Sequence, residues 1–194
     1  MTRILNIALI LFAVLTAVAI QGCRTADDPV GPDPGPGDNE TVTTVRLTLT
    51  NSANPADIRV ATWQDVNVDG TPDSATTLTL QQGQTYTGTI KLLDKTRTPE
   101  VDQTAEVEEE SDAHQFFYDV TGAAQPRITF TKTDADGNAP PLPVGIAYSV
   151  TVTAGAAETG SLRVRLCHYD GVPKTAAPIT DTDIDITLPV SIAP

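Results

Sequence analysis

From Val45 onward the chain alternates apolar and polar positions with a period of two. Val45, Leu47 and Leu49 are interleaved with Arg46, Thr48 and Thr50, and Tyr86, Gly88, Ile90 and Leu92 with Thr85, Thr87, Thr89 and Lys91. The same spacing recurs in Ile128 and Phe130, in Ile146, Tyr148, Val150 and Val152, in Leu162, Val164 and Leu166, and from Ile184 to Ile192. Two-residue periodicity puts alternate side chains on opposite faces of a strand, so each run predicts a strand with one buried face. Threonine fills many outward positions, as suits the solvated face of an antiparallel sheet. With residues 58–64, 77–81 and 115–120 the pattern gives roughly nine strands, separated by turn clusters. That spacing predicts an all-β fold, an immunoglobulin-like antiparallel β-sandwich.

One segment departs from this period. Thr98 is suited to cap a helix with Pro99 at its first position, and residues 100–112 then read as a short acidic helix. The layout that follows, His114-Gln115-Phe116-Phe117-Tyr118, resembles the crossover into strand F of an immunoglobulin domain. Phe116 stands where that fold carries its corner tyrosine.

Ahead of the strands lies a different kind of chain. Behind Arg3 comes an apolar run that ends in Ile20-Gln21-Gly22-Cys23. The run is near the lower length limit for crossing a bilayer, and no basic stop-transfer cluster follows it. A short positive start, an apolar centre and small residues before a cysteine read as a cleaved secretory signal. The ending resembles a bacterial lipobox, which implies that Cys23 is lipidated and becomes the first mature residue. Residues 24 to 41 then repeat Pro, Gly and Asp with almost no large apolar side chain, a composition that stays extended and works as a spacer. The expected organisation is a signal peptide at 1–22, a lipidated Cys23 with its tether at 23–41, and a sandwich domain at 42–194.

Charge narrows the partners. The chain carries a formal −13, and removing residues 1–22 takes away Arg3 and no acid, which leaves −14. Nucleic-acid binding rests on neutralising phosphates with Lys and Arg, so no nucleic acid is expected. Membrane attachment is expected through the lipid, since an acidic head is repelled by an anionic bilayer. There are two cysteines; with Cys23 acylated, Cys167 has no partner for an internal disulfide.

Two stretches suggest cation chemistry. In Asp65-Val66-Asn67-Val68-Asp69-Gly70-Thr71-Pro72-Asp73, Asp65, Asn67, Asp69 and Asp73 offer oxygens at positions 1, 3, 5 and 9 around a glycine at 6. This matches the first part of a calcium loop. Thr76 stands at position 12 in place of the bidentate glutamate, and the alternative is an Asx-rich turn between strands. Asp134-Ala135-Asp136-Gly137-Asn138 is shorter and reads as a hairpin signal.

The second candidate is a zinc or other transition-metal site built from His114, His168 and Glu110. Alternation puts His114 on the face of Phe116 and Tyr118, and His168 on the face of Leu162, Val164 and Leu166. Two imidazoles and a carboxylate suit Zn²⁺ or Cu²⁺. Half-buried histidines without a metal are the competing reading. Cys167 falls on the opposite strand face from His168. No nucleophile elbow, phosphate-cradling loop or zinc-protease helix is present, and no enzymatic activity is expected.

Several strings are similar to a group of small secreted envelope lipoproteins of Gram-negative bacteria, with a lipobox signal and a β-rich head. They are Thr43-Thr44-Val45-Arg46-Leu47-Thr48-Leu49-Thr50, Tyr86-Thr87-Gly88-Thr89-Ile90, Glu106-Val107-Glu108-Glu109-Glu110, His114 to Tyr118, and Thr182-Asp183-Ile184-Asp185-Ile186-Thr187. Some members carry a periplasmic-binding-protein label, which fits poorly, because that fold alternates strands with helices. Where the group tends to have Leu-Arg-His, this chain has Leu166-Cys167-His168. The resemblance implies an outer-membrane location, lipid-anchored and facing the periplasm or the cell surface. The expected role is a non-catalytic binding or scaffolding lipoprotein with an envelope partner. The alternative is a metal-handling accessory lipoprotein serving an outer-membrane receptor.

Overall fold

The computed structural model describes residues 41–194; Cys23, the signal segment and most of the expected tether lie outside the described residues. Among the described residues, nine strands of four or more residues form in chain order, together with two two-residue strands. They are β1 (Thr44–Asn51), β2 (Ile58–Gln64), β3 (Ser74–Ala75), β4 (Leu78–Gln81), β5 (Thr85–Asp94), β6 (Val101–Asp102), β7 (His114–Gly122), β8 (Ile128–Lys132), β9 (Ala147–Val152), β10 (Glu158–His168) and β11 (Thr182–Ala193). A six-residue helix α1 (Thr104–Glu109) precedes β7.

The strands make an all-β sandwich. One sheet runs β3-β2-β1-β5-β9-β8, with β6 on the end of β5, and the other runs β4-β11-β10-β7. All pairings are antiparallel except that of β4 with β11, which is parallel. The alternating residues read from the sequence supply the shared interior: Val45, Leu47 and Leu49 from β1 meet Leu162, Val164, Leu166 and the isoleucines of β11 in one apolar cluster. Burial of these side chains, each contributing about 1.5–3 kcal/mol, holds the sheets face to face. In β2 the pairing of Ala61 with Leu47 and Trp63 with Val45 turns Ile58 and Val60 outward, and both are exposed.

The helix is shorter and later than the capping pattern predicts. Val101 and Asp102 pair with Asp94 and Leu93 at the end of β5. Gln103 N–H donates to the Leu92 carbonyl, and the Thr104 hydroxyl accepts the Leu92 N–H at 2.9 Å. These sheet contacts claim the residues that Thr98 was expected to cap, and the helix starts only at Thr104, with no side-chain cap. Nor is the segment after β8 a tight hairpin. Residues 133–146 form a longer loop in which Asp134 accepts the Gly145 and Ala147 N–H groups. Its Val144 carbonyl accepts the Phe116 N–H at 2.7 Å, which covers the open edge of β7. Phe116 is fully buried, and the hydroxyl that anchors this corner is that of Tyr118, donating to the Gly145 carbonyl at 2.7 Å.

Candidate metal centre

Three elements end at one corner of the second sheet. Glu110 follows the last turn of α1, His114 opens β7 and His168 closes β10. Because β7 and β10 are antiparallel neighbours, His114 and His168 are direct register partners. Their rings stack with centroids 4.3 Å apart and planes 23° from parallel. Glu110, His114 and His168 each offer a ligand atom within 4.8 Å of the others. The sequence-derived cluster is thus brought together, and both imidazoles are enclosed, His114 completely and His168 nearly so.

The local chain fixes how His114 is presented. The Glu110 carbonyl accepts the Ala113 and His114 backbone N–H groups and lies 3.1 Å from His114 Nδ1. A carbonyl is an acceptor only, so Nδ1 carries the proton and donates to it. The Glu110 carboxylate is on the same side, with Oε2 3.9 Å from Nδ1. On the other side of the ring, Nε2 lies 3.3 Å from Oδ2 of Asp183. The second oxygen of Asp183 lies 3.5 Å from Nδ1 of His168.

Asp183 is the residue that the sequence pattern missed. Strict alternation groups it with Asp185, Thr187 and Pro189 on the outer face of β11. The ladder with β10 shifts between Leu166 and Cys167, which oppose Ile184 and Thr182. Asp183 is therefore the extra residue of a β-bulge, a device that re-aims a side chain. Its carboxylate is fully buried, and among the described residues neither oxygen has a hydrogen-bond partner. An Asp directly before the periodic run that starts at Ile184, with a threonine ahead of it, carries no sequence mark of a bulge.

A cleft of about 570 Å³ opens beside the cluster, lined in part by Asp112, Ala113, Tyr169 and Asp170. Ala113 and Tyr169 each adjoin one of the histidines, and the Tyr169 N–H donates to the Ala113 carbonyl at 2.7 Å. Lys174 also lines the cleft, donating to the Ser111 carbonyl at 2.7 Å and pairing with Asp136 at 3.0 Å.

The opposite face of β7 and β10 is occupied differently. Cys167 packs with Phe117 and Tyr169 in a small separate cluster, and its thiol faces the Ile179 carbonyl. Burial raises its pKa above that of an ordinary thiol, the reverse of what a reactive thiolate needs.

The Asp65 loop forms as an interlocked turn. Asp65 accepts the Asp69 and Gly70 N–H groups, Asn67 accepts from Asp69, Asp69 from Thr71, and Asp73 from Val66. All four sequence-derived calcium candidates are thereby gathered in one loop, each satisfying backbone donors as an Asx turn does.

Compared with protein-family models, with curated proteins and with solved structures, the chain matches none.

Proposed function

We propose that this chain is a lipid-anchored, non-catalytic envelope lipoprotein whose sandwich is a binding module, and that its ligand is a transition-metal ion held at the corner where His114 and His168 meet a carboxylate. One observation carries the metal reading: two stacked imidazoles and a carboxylate converge within ligand reach at a single enclosed corner. Imidazole nitrogen suits zinc and copper, whereas calcium and magnesium take oxygen ligands. The anchor rests on the Ile20–Cys23 sequence and the Pro/Gly/Asp segment behind it. A partner in the envelope, such as an outer-membrane receptor, is the natural recipient of a metal ion carried on a tether.

Thermal melting of tagless protein in EDTA and in Zn²⁺ tests the metal reading. A ligand that binds only the folded state raises the melting temperature, by more the further its concentration exceeds its Kd. Zn²⁺ is expected to raise the transition by several degrees, and the paired change His114→Ala with His168→Ala to abolish that rise. An unchanged wild-type transition contradicts the reading. For the anchor, intact-mass measurement of the mature chain is expected to show an acylated Cys23 as its first residue; an unmodified amino terminus elsewhere contradicts it.

A further inference from the structure

We propose that Asp183, rather than Glu110, is the carboxylate ligand of this site, so that the ion is held by Nε2 of His114, Nδ1 of His168 and the carboxylate of Asp183. This ligand set rests on the reading that the corner binds a metal.

The first argument is distance. Charge-assisted hydrogen bonds between imidazole and carboxylate run about 2.7–2.9 Å. The two Asp183–histidine separations are 3.3 and 3.5 Å, too long for such bonds. Ligands around a tetrahedral ion with metal–ligand bonds of about 2.0–2.2 Å stand about 3.3–3.6 Å apart. The spacing is that of neighbouring ligands on one ion.

Burial supplies the second argument. A carboxylate removed from water without a hydrogen bond is strongly destabilising unless a charge compensates it. Asp183 is fully enclosed, and among the described residues both of its oxygens lack a hydrogen-bond donor. The bulge places this carboxylate between two imidazoles, where a dication satisfies all three groups together.

Orientation is the third. With His114 Nδ1 donating to the Glu110 carbonyl, the neutral imidazole that binds a metal has its lone pair on Nε2, on the side of Asp183. Metal-bound histidines commonly donate their second ring N–H to a backbone carbonyl, which fixes ring orientation. Glu110 therefore acts through its main chain as a positioning residue, and its carboxylate lies on the wrong side of the ring to share the ion. Two imidazoles and one carboxylate, with a further position left for water or an incoming donor, match the three-ligand Zn²⁺ sites that keep an open fourth position.

Competition between the full mature chain and a chromophoric chelator for Zn²⁺ tests the ligand set. Asp183→Asn, which keeps the shape, is expected to weaken Zn²⁺ binding at least about 100-fold. Glu110→Gln, which keeps the main-chain carbonyl, is expected to change it less than about tenfold. A wild type that binds while Asp183→Asn binds equally well, or while Glu110→Gln falls as far as Asp183→Asn, overturns the ligand set and leaves the metal reading standing. A wild type that binds no Zn²⁺ overturns both. Should Asp183→Asn not fold, Glu110→Gln decides alone, since its side chain is partly exposed: retained binding supports Asp183 and a hundredfold loss refutes it.

Discussion

Asp183 and Asp185 are two residues apart on β11 yet occupy opposite faces of it. Asp185 projects outward and forms a bidentate pair with Arg163, while Asp183 is buried between His114 and His168. Alternation alone puts residues i and i+2 on one face. The bulge opposite Leu166 and Cys167 breaks that rule once, at the mouth of the strand. Identical side chains thus acquire unrelated surroundings from one inserted residue: a solvated surface pair and an enclosed carboxylate between two imidazoles.

The outer pair contributes little to stability. Both Arg163 and Asp185 are roughly half exposed, and ion pairs of this kind are worth about 0–1 kcal/mol. Asp185→Ala is expected to lower unfolding stability in urea by no more than about 1 kcal/mol. Loss of several times that amount shows that the bidentate pair organises the strand.

Lys174 and Asp136 are the opposite case. Their charged groups lie 3.0 Å apart with almost no exposure, and Asp136 also accepts the Asn138 and Leu142 N–H groups. Removing one member of a buried pair strands the other, at about 3–5 kcal/mol. Lys174→Met is expected to destabilise by that amount and to loosen the wall of the cleft. The double change Lys174→Met with Asp136→Leu is expected to recover part of the loss in equilibrium urea unfolding; additive losses contradict a coupled pair.

Gly88 on β5 marks a close approach. Tyr148 of β9 lies across it, and a methyl group at residue 88 runs into the Tyr148 ring. That ring packs in turn on Tyr118 and Phe130, with centroids 4.8 and 5.5 Å away. Gly88→Ala forces the cluster to shift, at about 1–3 kcal/mol. A melting temperature equal to that of the wild type shows that the ring moves aside freely.

Lys132 gives the fold a pH dependence. Burial, then repulsion by Lys174, lowers its pKa to about 8, against the pull of Asp134; its ammonium lies over the Phe117 ring at 3.9 Å. The unfolded chain keeps this lysine protonated up to about 10.4. Above pH 8 the unfolded state therefore binds more protons than the folded one, and the Lys132 contribution to stability rises with pH. Lys132→Met is expected to remove that rise between pH 7 and 9, so the wild-type urea midpoint climbs relative to that of the variant as pH increases. A gap that is constant across the window contradicts the lowered pKa.

Much of the fold was legible because burial on one face imposes a period of two, and that period is written in residue type. Leu162, Val164 and Leu166 face the interior as their spacing predicts, and the histidine at each strand end continues its own inward row. The start of α1 was not legible, because Thr98 and Pro99 satisfy local capping rules while Val101 to Thr104 are drawn onto β5 by long-range hydrogen bonds. Asp183 was hidden for a related reason: a bulge depends on the partner strand's register, which no single strand encodes. Glu110 was singled out because it is near His114 in sequence, although the carboxylate on the Nε2 side comes from a strand some seventy residues later.

The Asp65 loop yields a separate expectation. Asp65 is buried and accepts two backbone N–H groups, each worth about 1.5–3 kcal/mol where the acceptor is charged. Asp65→Ala is expected to destabilise the protein equally with and without Ca²⁺. A loss that appears only in Ca²⁺ instead assigns the loop to that ion.

Anomalous diffraction from Zn²⁺-loaded crystals, recorded on both sides of the zinc absorption edge, locates the ion without any variant. The expected result is one peak within bonding distance of His114 Nε2, His168 Nδ1 and an Asp183 oxygen. No peak at this corner, or a peak at the Nδ1 side of His114 against Glu110, contradicts the proposed site.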